Sequence, residues 1–385
     1  MIVQNSMTAQ PLKILQVVAG LHEGGVERGT LEMSEYILGT GAESYVASSG
    51  GRLVSDLEEK GARHFLLSLD RRTPWSIAKN AFALAAIIRR YHIDLVHARS
   101  RAPAWATLLA CKATNVPFLT TFHGTHKIQN GFKRFYNSSM VRGERVVAIS
   151  QFIRDHLIEN YSVPADKIDV APRGFSPTEF NLNAISLQQV AQLRSSLGIG
   201  ETDLAVSLPG RLTPWKGQVE FLASLARLAD LPGWKALLIG GAGKKLAYEQ
   251  KLRNLCKEYG LEDRVIFVGS QKNMVLYYAA SDLVVSASIE PEAFGRVAVE
   301  AQAMAKPVIA TAHGGSLETV VDGETGWLVP PADCEAMAAV LREVISGKYR
   351  LDKIGLRGRS WVVENFTTDK SCRAEWGAYR KVLDI

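Results

Sequence analysis

Short runs of apolar residues alternate along the chain with stretches whose apolar positions recur every three to four residues. The first series predicts strands at 13–18, 44–47, 95–97, 118–122 and 145–149. Between them the spacing predicts helices at 26–38, 76–90 and 152–159, the last with Ser150 as N-cap. From 172 to about 186 the period stops in prolines, asparagines and Gly174, which suits a linker. Alternation then restarts, with strands expected at 204–208, 234–239, 265–268, 283–287, 308–310 and 327–329 and helices at 218–228, 246–259 and 295–303. Strands that are apolar on both faces and separated by helices belong in parallel sheets covered on both sides. The pattern therefore predicts an α/β protein of two doubly wound, Rossmann-like domains. A final helix is expected over 371–383, with Trp376, Tyr379 and Val382 at helical spacing.

Composition narrows the class without changing that picture. A length of 385 residues fits two domains, and 47% hydrophobic with 22% charged residues is ordinary for a globular chain. The longest apolar stretches, such as 81–88, fall well short of a bilayer span, and the amino terminus lacks a basic-then-apolar leader pattern. Cys111, Cys256, Cys334 and Cys372 lie far apart without zinc-ligand spacing, so reduced thiols in a cytoplasmic enzyme are expected. The net charge of +6 is uneven: residues 1–180 hold 21 Lys and Arg against 16 Asp and Glu, the remainder 24 against 23. An excess in one half points that half toward an anionic partner.

In doubly wound sheets, ligands bind beyond the carboxyl ends of the strands, so candidate chemistry belongs in strand-to-helix turns. The richest is SIEPEAFGRVAVE, 288–300, where Glu292 falls in the loop and Glu300 inside the following helix. Amides near Phe294–Arg296 would form an anion site at the helix start, and a carboxylate about a turn and a half inside the helix suits paired ribose hydroxyls. The same spacing also fits two solvated acids at a helix N-terminus. PGRLTPWKG, 209–217, offers the planar fork of Arg211 and the point charge of Lys216 to a diphosphate. GLHEGGVER, 20–28, places Gly24 and Gly25 where backbone can approach a phosphate or sugar, although G-x-G-x-x-G spacing is absent. GGAGKK, 240–245, fails as a P-loop because Leu238 stands where that motif needs glycine, yet Gly241 can still approach a ligand. His123 ends the strand over 118–122 and can donate to a sugar hydroxyl. No Asp-x-Asp pair occurs, so the usual carboxylate route to a metal-bound diphosphate is missing.

Taken in order, Gly24-Gly25, His123, Arg211 with Lys216, Glu292-x7-Glu300 and the run Gly314-Gly315, Glu318, Gly323, Gly326 resemble the retaining glycosyltransferases of family 4. The resemblance covers nearly the whole chain. It implies the GT-B fold: an acceptor-binding domain over 1–180, a nucleotide-sugar-binding domain over 181–365 facing it across a cleft, and a helix over 366–385 crossing back. By the same resemblance Arg211 and Lys216 would stabilise the departing diphosphate and Glu300 would hold the ribose. Glu292 would contact the transferred sugar, with the amides of Ala293–Gly295 nearby and His123 near the reacting carbon. Gly24-Gly25 would lie over the diphosphate and acceptor, and backbone at Val268, Gly269 and Ser270 would meet the base. The implied reaction moves a sugar from a UDP- or GDP-type donor to a glycan or glycolipid hydroxyl, in lipopolysaccharide or cell-surface polysaccharide synthesis, without metal or cofactor. An epimerase of the same fold and a donor-binding protein without turnover are the alternatives.

The acceptor side departs from the family at Pro172-Arg173-Gly174-Phe175, where Arg173 adds a cation. The stretch 126–145 interleaves Lys127, Lys133, Arg134, Arg142 and Arg145 with aromatics, which suits an anionic lipid surface as well as a solvated basic helix. Peripheral contact with an anionic inner membrane, and no nucleic acid, is the expectation. Base, sugar, acceptor and oligomeric state stay open.

Overall fold

The computed structural model describes residues 10–22, 24–125, 131–243 and 246–385. The chain divides into two compact units, one formed by Met1–Pro172 with Asp369–Ile385 and the other by Arg173–Thr368. Both are α/β units around one parallel sheet each. In the first, β1 (Lys13–Val17), β2 (Glu43–Ser48), β3 (Arg63–Leu66), β4 (Leu95–Ala98), β5 (Phe118–Phe122), β6 (Arg145–Ala148) and β7 (Ile168–Val170) lie in the order β3-β2-β1-β4-β5-β6-β7. In the second, β8 (Leu204–Pro209), β9 (Trp234–Ile239), β10 (Val265–Gly269), β11 (Leu283–Ser286), β12 (Val308–Thr311) and β13 (Gly326–Val329) lie in the order β10-β9-β8-β11-β12-β13. Each sheet thus reverses its winding direction once, between β1 and β4 and between β8 and β11.

The predicted strands and helices form within a residue or two of their expected bounds, except that the final helix begins at Thr368, three residues early. Several elements lie outside the predicted series. The edge strands β3 (RHFL) and β7 (IDV) are too short and too polar to carry a period. The helix Arg101–Thr114 buries Ala102, Pro103, Ala104, Ala106, Thr107, Leu108, Ala110 and Cys111, so no polar face marks it.

The division between units falls at Pro172–Arg173 rather than near residue 180. Phe175 N–H donates to Phe366 O and Thr368 N–H to Phe175 O, tying the start of the linker into the second unit. The C-terminal helix, Thr368–Leu383, supplies Cys372, Ala378 and Tyr379 to the core of the first unit, beside Ile14, Met33, Leu95, Leu119 and Val147. A buried polar network anchors it. Glu375 accepts from the Arg99 guanidinium and, at 3.2 Å, from the Tyr379 hydroxyl. His97 Nδ1 lies 2.7 Å from the Tyr379 hydroxyl, and Arg99 also donates to Gln16 Oε1 at 3.0 Å. Arg99 is only 1% exposed, so each of these partners offsets the cost of burying its charge.

Candidate active site

In the second unit the candidate residues gather at the carboxyl ends of β8 and β11, the strands flanking the change of winding direction. A loop there has no helix crossing above it, which is why such sheets bind ligands at this point. The turn after β8 passes Arg211, which is exposed, and bends at Gly217 with φ +73°. A Cβ on Gly217 would stand 1.8 Å from the Ala287 carbonyl oxygen, so only glycine lets this turn lie against the end of β11. Ile289 N–H closes the contact by donating to Trp215 O at 2.9 Å.

That approach brings Lys216 to Glu292. Lys216 Nζ donates to Glu292 Oε1 at 2.5 Å, with each side chain 15% exposed, and lies 4.4 Å from the Trp215 ring centroid. The buried Ser288 hydroxyl donates to the same carboxylate oxygen at 2.6 Å. Ser288 is fixed in turn: its carbonyl accepts from Thr311 Oγ1 at 2.7 Å and lies 2.8 Å from His313 Nε2. The Glu292 backbone is set by Gly314-Gly315, since Gly315 N–H donates to Glu292 O at 2.8 Å. A Cβ on Gly315 would meet Phe294 Cα at 2.4 Å.

Gly295, with φ +86°, then caps the helix Arg296–Ala303 without a side chain of its own. Glu300 lies just over one turn inside. It accepts from the Tyr278 hydroxyl at 3.0 Å and from Arg296 at 2.8 Å. Burial and the neighbouring carboxylate push the Tyr278 hydroxyl far above its ordinary pKa, so it remains a donor at any working pH.

The ends of β9 and β10 complete this edge. Leu212 N–H donates to Gly241 O at 3.1 Å, and a Cβ on Gly241 would lie 3.4 Å from the Ser270 Cβ. Gly269, φ +76°, faces open space, with Val268 and Ser270 on either side. Arg211, Lys216, Gly241, Val268–Ser270, Glu292–Gly295 and Glu300 therefore share one end of one sheet. The motif search missed Ser288, Tyr278, Trp215 and His313. Ser288 carried a legible signal, standing directly after a strand and four residues before Glu292; Tyr278 carried none.

Of the remaining candidates, all but Arg173 belong to the first unit. Gly24 and Gly25 follow β1 at the start of the helix Gly25–Gly39, and Gly24 itself is extended at φ 171°. His123 follows β5 and is half-buried. Both positions stand at the carboxyl edge of that sheet, whose own change of direction is bridged by Ala19 N–H donating to Ser100 Oγ at 3.0 Å. Arg173 opens the second unit and is half-buried; Lys133 and Arg134 are exposed on the helix Gly131–Asn137; Lys127 and His126 lie outside the described residues. Two cations of the 126–145 stretch are committed within the fold. Arg145 pairs with Asp169, and the Arg142 guanidinium lies 5.5 Å from the Trp105 ring and 5.7 Å from that of Phe135.

Comparison with known proteins supplies the family. Residues 23–179 match the family model Glycosyltransferase Family 4, and residues 189–361 match Glycosyl transferases group 1. A glycosyltransferase from Rickettsia africae is 36% identical, with a TM-score of 0.90 over 97% of this chain and 99% of that one. HepE from Anabaena, solved with UDP-glucose, superposes with a TM-score of 0.81 over 97% of this chain and 100% of its own at 24% identity. The lipopolysaccharide core biosynthesis mannosyltransferase LpsB from Rhizobium meliloti is 32% identical over 50% of this chain and 56% of its own length. The first curated relatives are likewise matched over less than two thirds of their length, 61% and 64%. Two parallel-sheet units of this topology are the GT-B fold of glycosyltransferases. The chain belongs to the glycosyltransferases described by the group 1 and family 4 models.

Proposed function

We propose that the protein transfers a sugar from a nucleotide-diphosphate donor to a hydroxyl of a glycan or glycolipid, with retention at the reacting carbon and without metal or cofactor. The observation that carries this reading is the Lys216–Glu292 pair at the ends of β8 and β11, with Glu300 one turn into the adjoining helix. Lys216 and Arg211 neutralise the diphosphate as the sugar–phosphate bond breaks, where preorganised cations lower the barrier most. Glu300, held by Tyr278 and Arg296, accepts the ribose hydroxyls. Glu292, with the amides of Ala293–Gly295, takes the transferred sugar; Gly241 and Val268–Ser270 take the rest of the nucleotide. The reading assigns His123 to the transferred sugar and Gly24-Gly25 to diphosphate and acceptor. The acceptor oxygen bonds to the sugar carbon on the face that the phosphate leaves, and its proton passes to a donor phosphate oxygen.

UDP-glucose in the HepE structure supports a nucleotide-sugar donor, and LpsB supports a cell-surface glycan as destination. With an anionic glycolipid as acceptor, Arg173, Lys133 and Arg134 serve it at the cytoplasmic face of the inner membrane. Thermal shift with UDP, GDP, ADP and their common sugars, in EDTA, tests the donor. At ~100 times its Kd a donor adds about 2.7 kcal/mol of stability. A panel without any shift, with or without added magnesium, contradicts the donor assignment. Nucleoside diphosphate released only when acceptor is present separates a transferase from an epimerase.

A further inference from the structure

The helix Pro74–Tyr91 of the first unit is patterned twice. Its inner face buries Asn80, Ala81, Leu84, Ala85 and Ile88, which packing against the helix Arg101–Thr114 explains. At 100° per residue, Trp75, Lys79, Phe82, Ala86, Arg89 and Arg90 all fall on the opposite side, within a stripe about 100° wide. All six are exposed. Trp75 is 81% and Phe82 80% exposed, so the two largest apolar groups of the helix point to solvent from the middle of its outer face. An isolated exposed apolar residue needs no explanation; two aromatics seven residues apart on one stripe do.

Their surroundings are cationic. Between residues 71 and 93 stand Arg71, Arg72, Lys79, Arg89 and Arg90, with no Asp or Glu. These five cations equal the whole excess of 21 basic over 16 acidic residues in 1–180. Arg71 and Arg72 are exposed at the N-terminal end of the helix, while Arg89 and Arg90 stand at its C-terminal end. Asp70 is exposed beside Arg71, and Asp94 is occupied by Lys13 N–H at 2.8 Å. Arg89 keeps one bond inward, to Ala113 O at 2.9 Å. Leu66, 73% exposed, ends the edge strand that leads into this segment.

We infer that this face docks on an anionic phospholipid bilayer, Trp75 and Phe82 entering the headgroup region and the flanking cations pairing with lipid phosphates. Seven residues of helix separate the two rings by ~10 Å along the axis, so one plane admits both. Aromatic side chains favour that depth, and each cation beside an anionic surface strengthens binding about fivefold. The outer face carries Lys79, Arg89 and Arg90 and no acidic residue, which matches a negatively charged plane. Duplex phosphates would pair with the cations but leave the apolar surfaces of Trp75, Phe82 and Ala86 in water, whereas a bilayer takes up both. No described helix is long and apolar enough to cross a membrane, and this one lies along the surface instead. The inference deepens the membrane-side acceptor proposed above, rests on it, and moves the contact from Lys133 and Arg134 to Pro74–Tyr91.

Vesicle flotation of the full chain, without donor or acceptor, tests it. The parent is expected to bind phosphatidylglycerol–phosphatidylethanolamine vesicles at low salt and to release them at high salt, with little binding to phosphatidylcholine. Trp75→Ser with Phe82→Ser, and separately Arg71→Glu with Arg72→Glu, should each weaken binding at least about tenfold. Because these side chains are exposed, both variants should melt like the parent. Binding that survives the aromatic pair but is lost with Lys133→Glu and Arg134→Glu overturns the inference while keeping a membrane contact. A parent that ignores anionic vesicles, duplex DNA that competes in proportion to the same substitutions, or a lower lipid-free sedimentation mass for the aromatic variant (a second copy covering this face) each overturns it. Nucleotide-induced thermal shift on the same samples reads the donor site separately, so failure here does not count against glycosyl transfer.

Discussion

Lys216 reaches Glu292 across the change of winding direction, Nζ to Oε1 at 2.5 Å, so the cation after β8 is aimed by the acid after β11. Without ligand each satisfies the other. Under the proposed function a diphosphate competes with Glu292 for Lys216, while the Ser288 hydroxyl still donates to the carboxylate.

Lys216→Met should therefore lower kcat/KM by about 10²–10³, as loss of one preorganised charge stabiliser does elsewhere. Ser288→Ala removes only the second anchor of Glu292 and should cost about tenfold, mainly in kcat. Nucleoside diphosphate release, with whichever donor stabilises the protein, measures both. Equal activity in the lysine variant would remove Lys216 from the reaction.

Gly217 and Gly323 share φ +73° and differ in what surrounds them. A Cβ would collide with Ala287 O at position 217 and meet nothing within 4 Å at position 323. Gly323→Ala should cost about 1 kcal/mol from backbone strain, and Gly217→Ala about 2 kcal/mol or more. Melting temperatures of the two variants separate strain from collision, and Gly217→Ala should also weaken nucleotide binding by shifting Lys216.

Glu375→Ala leaves Arg99 charged and buried without its carboxylate. Truncating one partner of such a pair costs about 3–5 kcal/mol. The loss should appear as early proteolysis of the C-terminal helix in the first unit, followed by limited digestion and mass spectrometry. Replacing both residues with apolar side chains of similar volume should recover most of it.

His156 packs against the rings of Phe122 and Tyr161, and burial holds its pKa below the ordinary 6.5. The unfolded chain therefore binds a proton that the folded one refuses as pH falls through 6.5. Stability present above that value declines below it, with a positive slope of free energy against pH. His64 shifts in the same direction for the same cause. His156→Phe should lose less melting temperature than the parent between pH 7.5 and 5.5, leaving the part owed to His64.

The two series of strands were legible because parallel strands are apolar on both faces, a local property that survives without knowing their neighbours. Arg211, Lys216 and Glu292 were legible as candidates for a related reason, since they stand in turns directly after a strand, with Glu300 in the helix that one of those turns opens. Arg99 was not. Its environment comes from Gln16 and from Glu375, the latter 276 residues away, and nothing near it in the chain announces burial. Within the stretch 126–145 the sequence likewise did not show that Arg142 stands against Trp105 or that Arg145 pairs with Asp169.

By itself the sequence determined the alternation of strands and helices, the two α/β units and the turns that hold the chemistry, because period and turn composition act over a few residues. Tertiary structure decided which turns meet. Only strand order puts the ends of β8 and β11 side by side, so that Gly217 admits the close approach and Lys216 finds Glu292. Only packing reveals that Trp75 and Phe82 face outward, since the same helical period describes an aromatic on either side until the sheet claims one of them.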